Sequence, residues 1–548
     1  MTFSRRQTDS NDVHVVAARS RLRERLGAQH TVTAAELVLV SVALLALAVI
    51  VFGEHVLHGG LYSDDWGNAA EYRFLDSPHY LHAVEGRARD MGSRPLLALL
   101  LPLPDALFGI HAAPQLALAL VLGVLTCLLL YLLLRTLGLA PVHCGAIAAL
   151  VLLFPWADSI RLWATASLNT VALCFGLLGL TVALRSLRRD DRKGGQGHAL
   201  AIALFVLSIL TYEVMALALL LTGLLYRGRA ARGRVLRWWV ADALAVGLAL
   251  IYTAVTTSKQ AGSASHLLHN VPVFARQSLA VLSLSFVPPG VQSTMPRLLG
   301  LALAGVAVAV LVRRQRRRPE AETRRLLVLI VAAALLIPCA YTILIDSYVS
   351  PLDGGYGNRG NLFAAFGYAA LAYGLTLAVA KAVAGSRRRL EVVLASVLVV
   401  MVGTGYALRA RDDVASWDRA AALQAELLHD FDRVAPSIPA GTTVVSFGFP
   451  ADVEGAPVFN ASWDLKGAVL LRTDEKLQAQ PFFQGATLRC LRRGLIMTLP
   501  NVDAPVAMQY RHVLFADLRK GRTQQVRSLS ACLSARRSFR PGPRSVAG

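Results

Sequence analysis

The stretch GGLYSDDWGNAAEYRF, residues 59–74, sets two adjacent aspartates, Asp64 and Asp65, between Tyr62 and Trp66, directly after the first long apolar run. Neighbouring carboxylates can take a proton from a hydroxyl, share one proton, or hold a divalent cation. Residues 54–93 also hold Glu54, Glu71, Asp76, Glu85 and Asp90 against three arginines, an acidic exception in a basic chain. A purely local use competes with any chemistry: Asp64 can cap a helix that starts near Trp66. Further polar features punctuate the apolar runs. Asp158 and Arg161 lie in FPWADSIRLW, Glu213 in LTYEVM and Arg359 in GGYGNRGN. A single charge at the end of an apolar run is often only snorkelling to the interface, so what matters is whether these fall on one side.

The elements that would position them are membrane spans. Of 548 residues, 55% are hydrophobic and 17% charged, too apolar for an ordinary soluble chain. At about 20 apolar residues per span, the runs near 33–53, 114–134, 141–156, 165–185, 199–212, 214–226, 238–257, 298–312, 326–345, 362–382 and 390–408 predict about eleven transmembrane helices. The net charge of +21 sits in short clusters between runs, at 227–237, 313–325 and 386–389. Cytoplasmic loops collect Arg in this way, and the clusters lack interleaved aromatics, so they report topology rather than a nucleic-acid partner.

Arg5, Arg6, Arg19, Arg21, Arg23 and Arg25 assign the tail 1–32 to the cytoplasm, and a retained first span then places the loop 54–113 outside. Counting on, the basic clusters fall inside. Asp64, Asp65, Asp158, Arg161, Glu213, Arg359 and everything after 408 fall outside. This count reads 94–110, broken by Pro102 and Pro104, and 276–290 as interfacial or re-entrant pieces.

Residues 409–548 change character. Segment 413–435 reads as a helix, while GTTVVSFGFP and YRHVLFADLRKGRTQQVRS alternate apolar and polar residues around glycine as strands do, which predicts a small α/β domain. No Cys/His spacing suits zinc. Cys127, Cys144, Cys174 and Cys339 lie in apolar runs, whereas Cys490 and Cys532 are the two in the polar region, where an oxidising compartment would join them.

The acidic motif after the first span, then SRPLLALLLPLPDALFGIHAAP leading to LLLRTLG, then LFPWADSIRLWATAS and LSILTYEVMALALL, resembles the GT-C superfamily of membrane glycosyltransferases, which includes the protein O-mannosyltransferases. The resemblance covers roughly residues 30 to 260; beyond them the layout and Arg359 match. It implies a multi-pass cell-membrane enzyme that moves a sugar, with inversion, from a polyprenyl-phosphate carrier to a hydroxyl of a cell-envelope glycan, lipid or protein. It further implies Asp64 as general base. Asp65 would orient it, raise its pKa, or bind Mg²⁺ or Mn²⁺. Arg359, then Arg94 and Arg161, would hold the phosphate, with Asp158 and Glu213 beside them, or Arg94 and Arg161 would each simply pair with a carboxylate of the loop. Trp66, Tyr62 and Trp163 would stack on sugar, or serve only as interfacial aromatics. A transporter or flippase, which would carry its charges near the bilayer midplane, and a non-catalytic scaffold are the rival readings.

Overall fold

The computed structural model describes residues 32–74, 79–189, 191–257, 264–287, 294–317, 319–342, 344, 350–352, 354–500 and 505–547. The basic tail before residue 32 and Asp76 lie outside them.

The chain is mostly helical. The first helix, α1 (Ala34–His58), begins where the Thr33 hydroxyl accepts the Glu36 amide and runs through an unbroken Leu/Val/Ala stretch. Its 25 residues reach about 38 Å, enough to cross a bilayer. A short helix, α2 (Asp64–Arg73), follows, and α3 (Ala112–Leu137) is the second long one. Among the described residues nine helices are long and apolar enough to cross a membrane. Aliphatic side chains such as Leu39, Ile50, Leu248 and Val328 point outward from them, a surface that suits lipid and not water.

Two of the eleven expected spans fall short of that measure. Residues 141–156 form a helix only over Pro141–Leu152, because Pro155 ends it, and 214–226 breaks into Ala216–Leu220 and Thr222–Tyr226. Residues 94–110 form two helices of one to two turns, Pro95–Leu100 and Leu103–Phe108, split at the prolines. The piece expected at 276–290 is the end of a helix, Ala264–Leu284, with residues 288–290 outside the described chain. No break occurs at residue 409: α4 (Arg388–Val434) runs 47 residues, so the apolar stretch 390–408 and the helix expected at 413–435 are one rod.

The C-terminal region is the expected α/β domain. It holds β1 (Thr442–Phe447), helix α5 (Ser462–Thr473), β2 (Leu477–Pro481), β3 (Thr487–Cys490), β4 (Gly494–Thr498), β5 (Val506–Gln509), β6 (Val513–Asp517) and β7 (Arg522–Gln525). The main sheet has the order β2-β1-β6-β7, parallel except for β7, and β3-β4-β5 form an antiparallel sheet of their own. Parallel strands must be covered on both faces. Val444, Ala479 and Ala516 pack toward the core shared with α4 and α5, while Val445, Phe447 and Phe515 pack with Cys532 of the last helix, Leu529–Ser538, and with Phe539 just after it.

A disulfide joins Cys490 at the end of β3 to Cys532 on that helix, 42 residues on, and the loop it closes is worth about 4 kcal/mol by chain entropy. Thiol titration of the denatured protein, purified without reductant, should find the four cysteines Cys127, Cys144, Cys174 and Cys339 and no others. Cys490→Ser should make the domain markedly easier to proteolyse.

The two ends of the helical bundle differ. At one, Arg135 pairs with Glu36, Arg188 donates to the Thr136 carbonyl, and Lys381 lies between Glu320 and Glu391. At the other end, the loop after α1, residues 155–165, the 3₁₀ turn Gly355–Asn361 and the C-terminal domain come together.

Candidate functional site

The first loop turns into α2 through Ser63, whose φ of 45° and ψ of −111° side chains with a Cβ avoid, a cost on the order of 1–3 kcal/mol. Reciprocal hydrogen bonds hold it there: the Tyr62 amide donates to Asp65 Oδ2 at 2.9 Å, and the Asp65 amide donates to the Tyr62 carbonyl at 2.9 Å. The helix therefore starts at Asp64 itself, not near Trp66, and the carboxylate that closes the turn is Asp65 rather than Asp64.

Asp65 is buried, and its Oδ1 accepts both the amide (2.9 Å) and the hydroxyl (2.5 Å) of Thr165. Burial pushes its carboxyl up to about 7, against the pull of those donors. Its electrostatic neighbour Asp105, also buried and bonded by Gln115, is pushed up to about 7 for the same reason. Asp64 points the other way. It is half-buried, and its Oδ1 accepts the indole N–H of Trp463 at 2.8 Å. Adjacent aspartates thus have different environments. One is locked inside, and the other is open at the surface.

The aromatics divide as well. Tyr62 is wholly enclosed, edge-on to Trp417 at 4.7 Å and donating to the Trp417 carbonyl, so it braces the loop and offers no face to a sugar. Trp66 is half-buried, with its indole N–H on Gln424 Oε1 at 3.3 Å. Trp163 is buried beneath Arg359.

Arg359 stands apart from the other cations. Its guanidinium lies 5.0 Å from the Trp163 ring and 5.8 Å from that of Tyr356, is half-exposed, and has no hydrogen-bond or ion-pair partner among the described residues. The loop that carries it is fixed from both sides. Asn358 donates to Asp158 Oδ1 at 2.6 Å and accepts the Ser159 amide at 3.1 Å, and Asn361 donates to the Trp156 carbonyl at 2.6 Å. Trp163 and Thr165 are two residues apart, at most about 7 Å along the backbone. Through them the ring under Arg359 connects directly to the hydroxyl on Asp65.

The remaining expected residues serve these. Arg94 forms a two-pronged pair with Glu213, at 3.0 and 2.6 Å, above the Tyr212 ring, so its charge is already met. Asp158 is fully buried beside the Asp413 carboxyl, and burial raises its pKa. Arg161 is buried, donates to the Phe154 carbonyl, and leaves its Nε without a partner; burial pulls its pKa down.

Residues that the sequence did not single out complete the site. His55, at the end of α1, bridges Asp418 on α4 at 2.6 Å and the Leu162 carbonyl at 2.8 Å. The C-terminal domain contributes Trp463, and it clamps both loops by backbone contact. A Cβ on Gly467 of α5 would lie 2.4 Å from the Trp66 carbonyl oxygen, and the Tyr356 amide donates to the Gly455 carbonyl at 3.0 Å. Gly467→Val should therefore push α5 off α2, seen as faster hydrogen exchange across residues 62–73 with the helical core unchanged. No local pattern could have flagged such contacts, since nothing in the sequence marks Gly67 and Gly467 as neighbours.

A divalent cation between Asp64 and Asp65 does not fit this arrangement. Both Asp65 oxygens already face N–H and O–H donors, and among the described residues no three His, Cys, Asp or Glu side chains gather to hold an ion. The chain matches no protein-family model and no curated protein.

Chemically, the described residues at this end of the bundle offer an accessible carboxylate held by an indole N–H, and a guanidinium set between aromatic rings with no ion-pair partner among them. Between them lies a scaffold of buried, hydrogen-bonded polar groups.

Proposed function

We propose that the chain is a multi-pass membrane glycosyltransferase that moves a sugar from a polyprenyl-phosphate carrier to an acceptor hydroxyl at the outer face of the cell membrane. The observation that carries this reading is Arg359, a half-exposed guanidinium with no anion against it among the described residues, at the same end of the bundle as a solvent-accessible aspartate. A cation without a partner beside long apolar helices is suited to a ligand that brings its own charge and a lipid tail. An isoprenoid tail stays in lipid while its sugar phosphate reaches water, which places the reaction at the end of the helices.

In this reading Asp64 takes the proton of the acceptor hydroxyl as its oxygen attacks the anomeric carbon, and the bond to the carrier phosphate breaks with inversion. Phosphate leaves without protonation, so one carboxylate suffices, in contrast to the paired carboxylates of glycoside hydrolysis. Arg359 stabilises the charge left on the phosphate. Asp65 acts as a positioning residue, holding the turn that presents Asp64.

The basic clusters at the opposite end support a cytoplasmic assignment for that end, and with it an outer one for the C-terminal domain. A transporter would find its strongest support in Asp242, which is buried within a span. Asp242 is, however, satisfied by His198 at 2.8 Å, Thr222 at 3.0 Å and Tyr226 at 2.6 Å, so it staples helices together.

The test is transfer of radiolabelled sugar by membranes carrying the protein, from a panel of polyprenyl-phosphate sugars. Labelled acceptor should accumulate with one of them, and failure with all of them would remove the reading. Asp64→Cys and Glu475→Cys should both react with an impermeant maleimide on intact cells. Labelling of either from the cytoplasmic side alone would overturn the topology.

A further inference from the structure

Trp463 is the one large aromatic of the C-terminal domain that stays exposed, at 41%, and it does so beside the carboxylate proposed as the base. Burial of an aromatic ring is normally favoured, so a tryptophan held in the open needs a reason. The ring is not loose. Its N–H donates to Asp64 Oδ1, and one side rests on Gly67, where the nearest ring carbon would be 3.4 Å from an added Cβ. A glycine there sets no side chain against the ring, which stays 41% exposed. The helix that carries it is itself anchored: Asp464, the next residue, accepts the amides of Asn460, Ala461 and Leu465.

We propose that Trp463 is the stacking platform for the acceptor, and that the acceptor is a carbohydrate. The inference rests on the transferase reading above and names its acceptor class. A flat apolar ring next to a hydrogen-bonding carboxylate matches a pyranose or furanose, whose C–H face packs on the ring while a hydroxyl at its edge reaches Asp64. A lipid acceptor would call for an apolar groove continuous with the bilayer. A protein acceptor would use an edge strand or a cluster of side-chain pockets. The platform sits on the C-terminal domain, so that domain brings the acceptor to a donor that the transmembrane part holds.

The experiment uses the full chain in nanodiscs and two separate readouts. First, binding of mannotetraose, maltotetraose, cellotetraose and an arabinotetraose is measured without donor by saturation-transfer NMR. At least one should bind the wild type, Trp463→Ala should weaken that binding about tenfold or more, and Trp463→Phe should keep most of it. Second, in the transfer assay Trp463→Ala should raise the acceptor KM. Trp463→Phe, which keeps a ring but loses the N–H to Asp64, should lower kcat more than it changes KM. Equal binding by Trp463→Ala and wild type, or no binding of any of the four sugars to the wild type, would overturn the platform. Trp463-dependent binding in a protein that transfers nothing would keep the platform and remove the transferase reading instead. Normal transfer with an unchanged acceptor KM in Trp463→Ala would do the reverse.

Discussion

Asp64→Asn should lower sugar transfer by about 10²- to 10⁴-fold, the usual loss when a positioned general base is removed. The substitution is close to isosteric, and the amide oxygen can still accept the Trp463 N–H that Asp64 accepts at 2.8 Å, so α2 and α5 should stay docked. Donor binding, measured separately with the unreacted polyprenyl-phosphate sugar, should be nearly unchanged, which places the loss in the chemical step. Asp65→Asn should behave differently. Its carboxylate receives three donors, from Tyr62 and Thr165, and an amide must turn its NH₂ toward one of them. The expected cost is on the order of 1–3 kcal/mol of local stability, read as faster hydrogen exchange at 60–66 and a milder loss of rate. Full activity in Asp64→Asn with Asp65→Asn dead would exchange the two roles. Full activity in the double variant would take the loop out of the chemistry.

How far the sequence alone reached depends on the range of the interaction. Apolar runs are local, and they located the long helices; the exceptions, 141–156 and 214–226, are where proline or short polar breaks cut a run that hydropathy averages over. Alternation is also local, and GTTVVSF became β1 while the segment after Tyr510 became β6 and β7. The side of each polar residue followed from counting spans, and Asp65, Asp158, Glu213 and Arg359 do meet at one end of the bundle. What each then does was not legible. Arg94 and Arg359 have the same side chain and differ in that Glu213, 119 residues from Arg94, lies against the first, while among the described residues only the rings of Trp163 and Tyr356 lie against the second. Asp64 and Asp65 are likewise identical and adjacent, and one helical position decides which faces Thr165 and which faces Trp463. Tyr62, which read as a sugar platform or an interfacial aromatic, is core, because Trp417 closes over it from 355 residues away. Trp463, the residue proposed to receive the acceptor, came from a domain whose sequence offered a helix, strands and a cysteine pair.

Arg359→Ala should reduce transfer by about 10²- to 10³-fold, the scale on which removal of one group that stabilises developing negative charge is felt. Arg359→Lys should recover only part of this. An ammonium keeps the charge but not the two parallel N–H donors that fit phosphate oxygens, and it rests less well between two rings. The guanidinium here lies 5.0 Å from Trp163 and 5.8 Å from Tyr356, so its plane is set before any ligand arrives, and that preorganisation is what a lysine would lose. Both variants should weaken binding of the bare polyprenyl phosphate in the order Arg, Lys, Ala, while leaving acceptor-sugar binding at Trp463 alone, because the proposed acceptor site uses Trp463 and Asp64 and not Arg359. The loop should survive the change, since its hydrogen bonds run through Asn358 and Asn361 and none through the Arg359 side chain. Should Arg359→Ala bind and process the donor normally, the phosphate must be held elsewhere. Arg94 would then be the next candidate, and it could serve only by first giving up Glu213, so Glu213→Gln would be expected to tighten donor binding in that case and to leave it unchanged if Arg359 holds the phosphate.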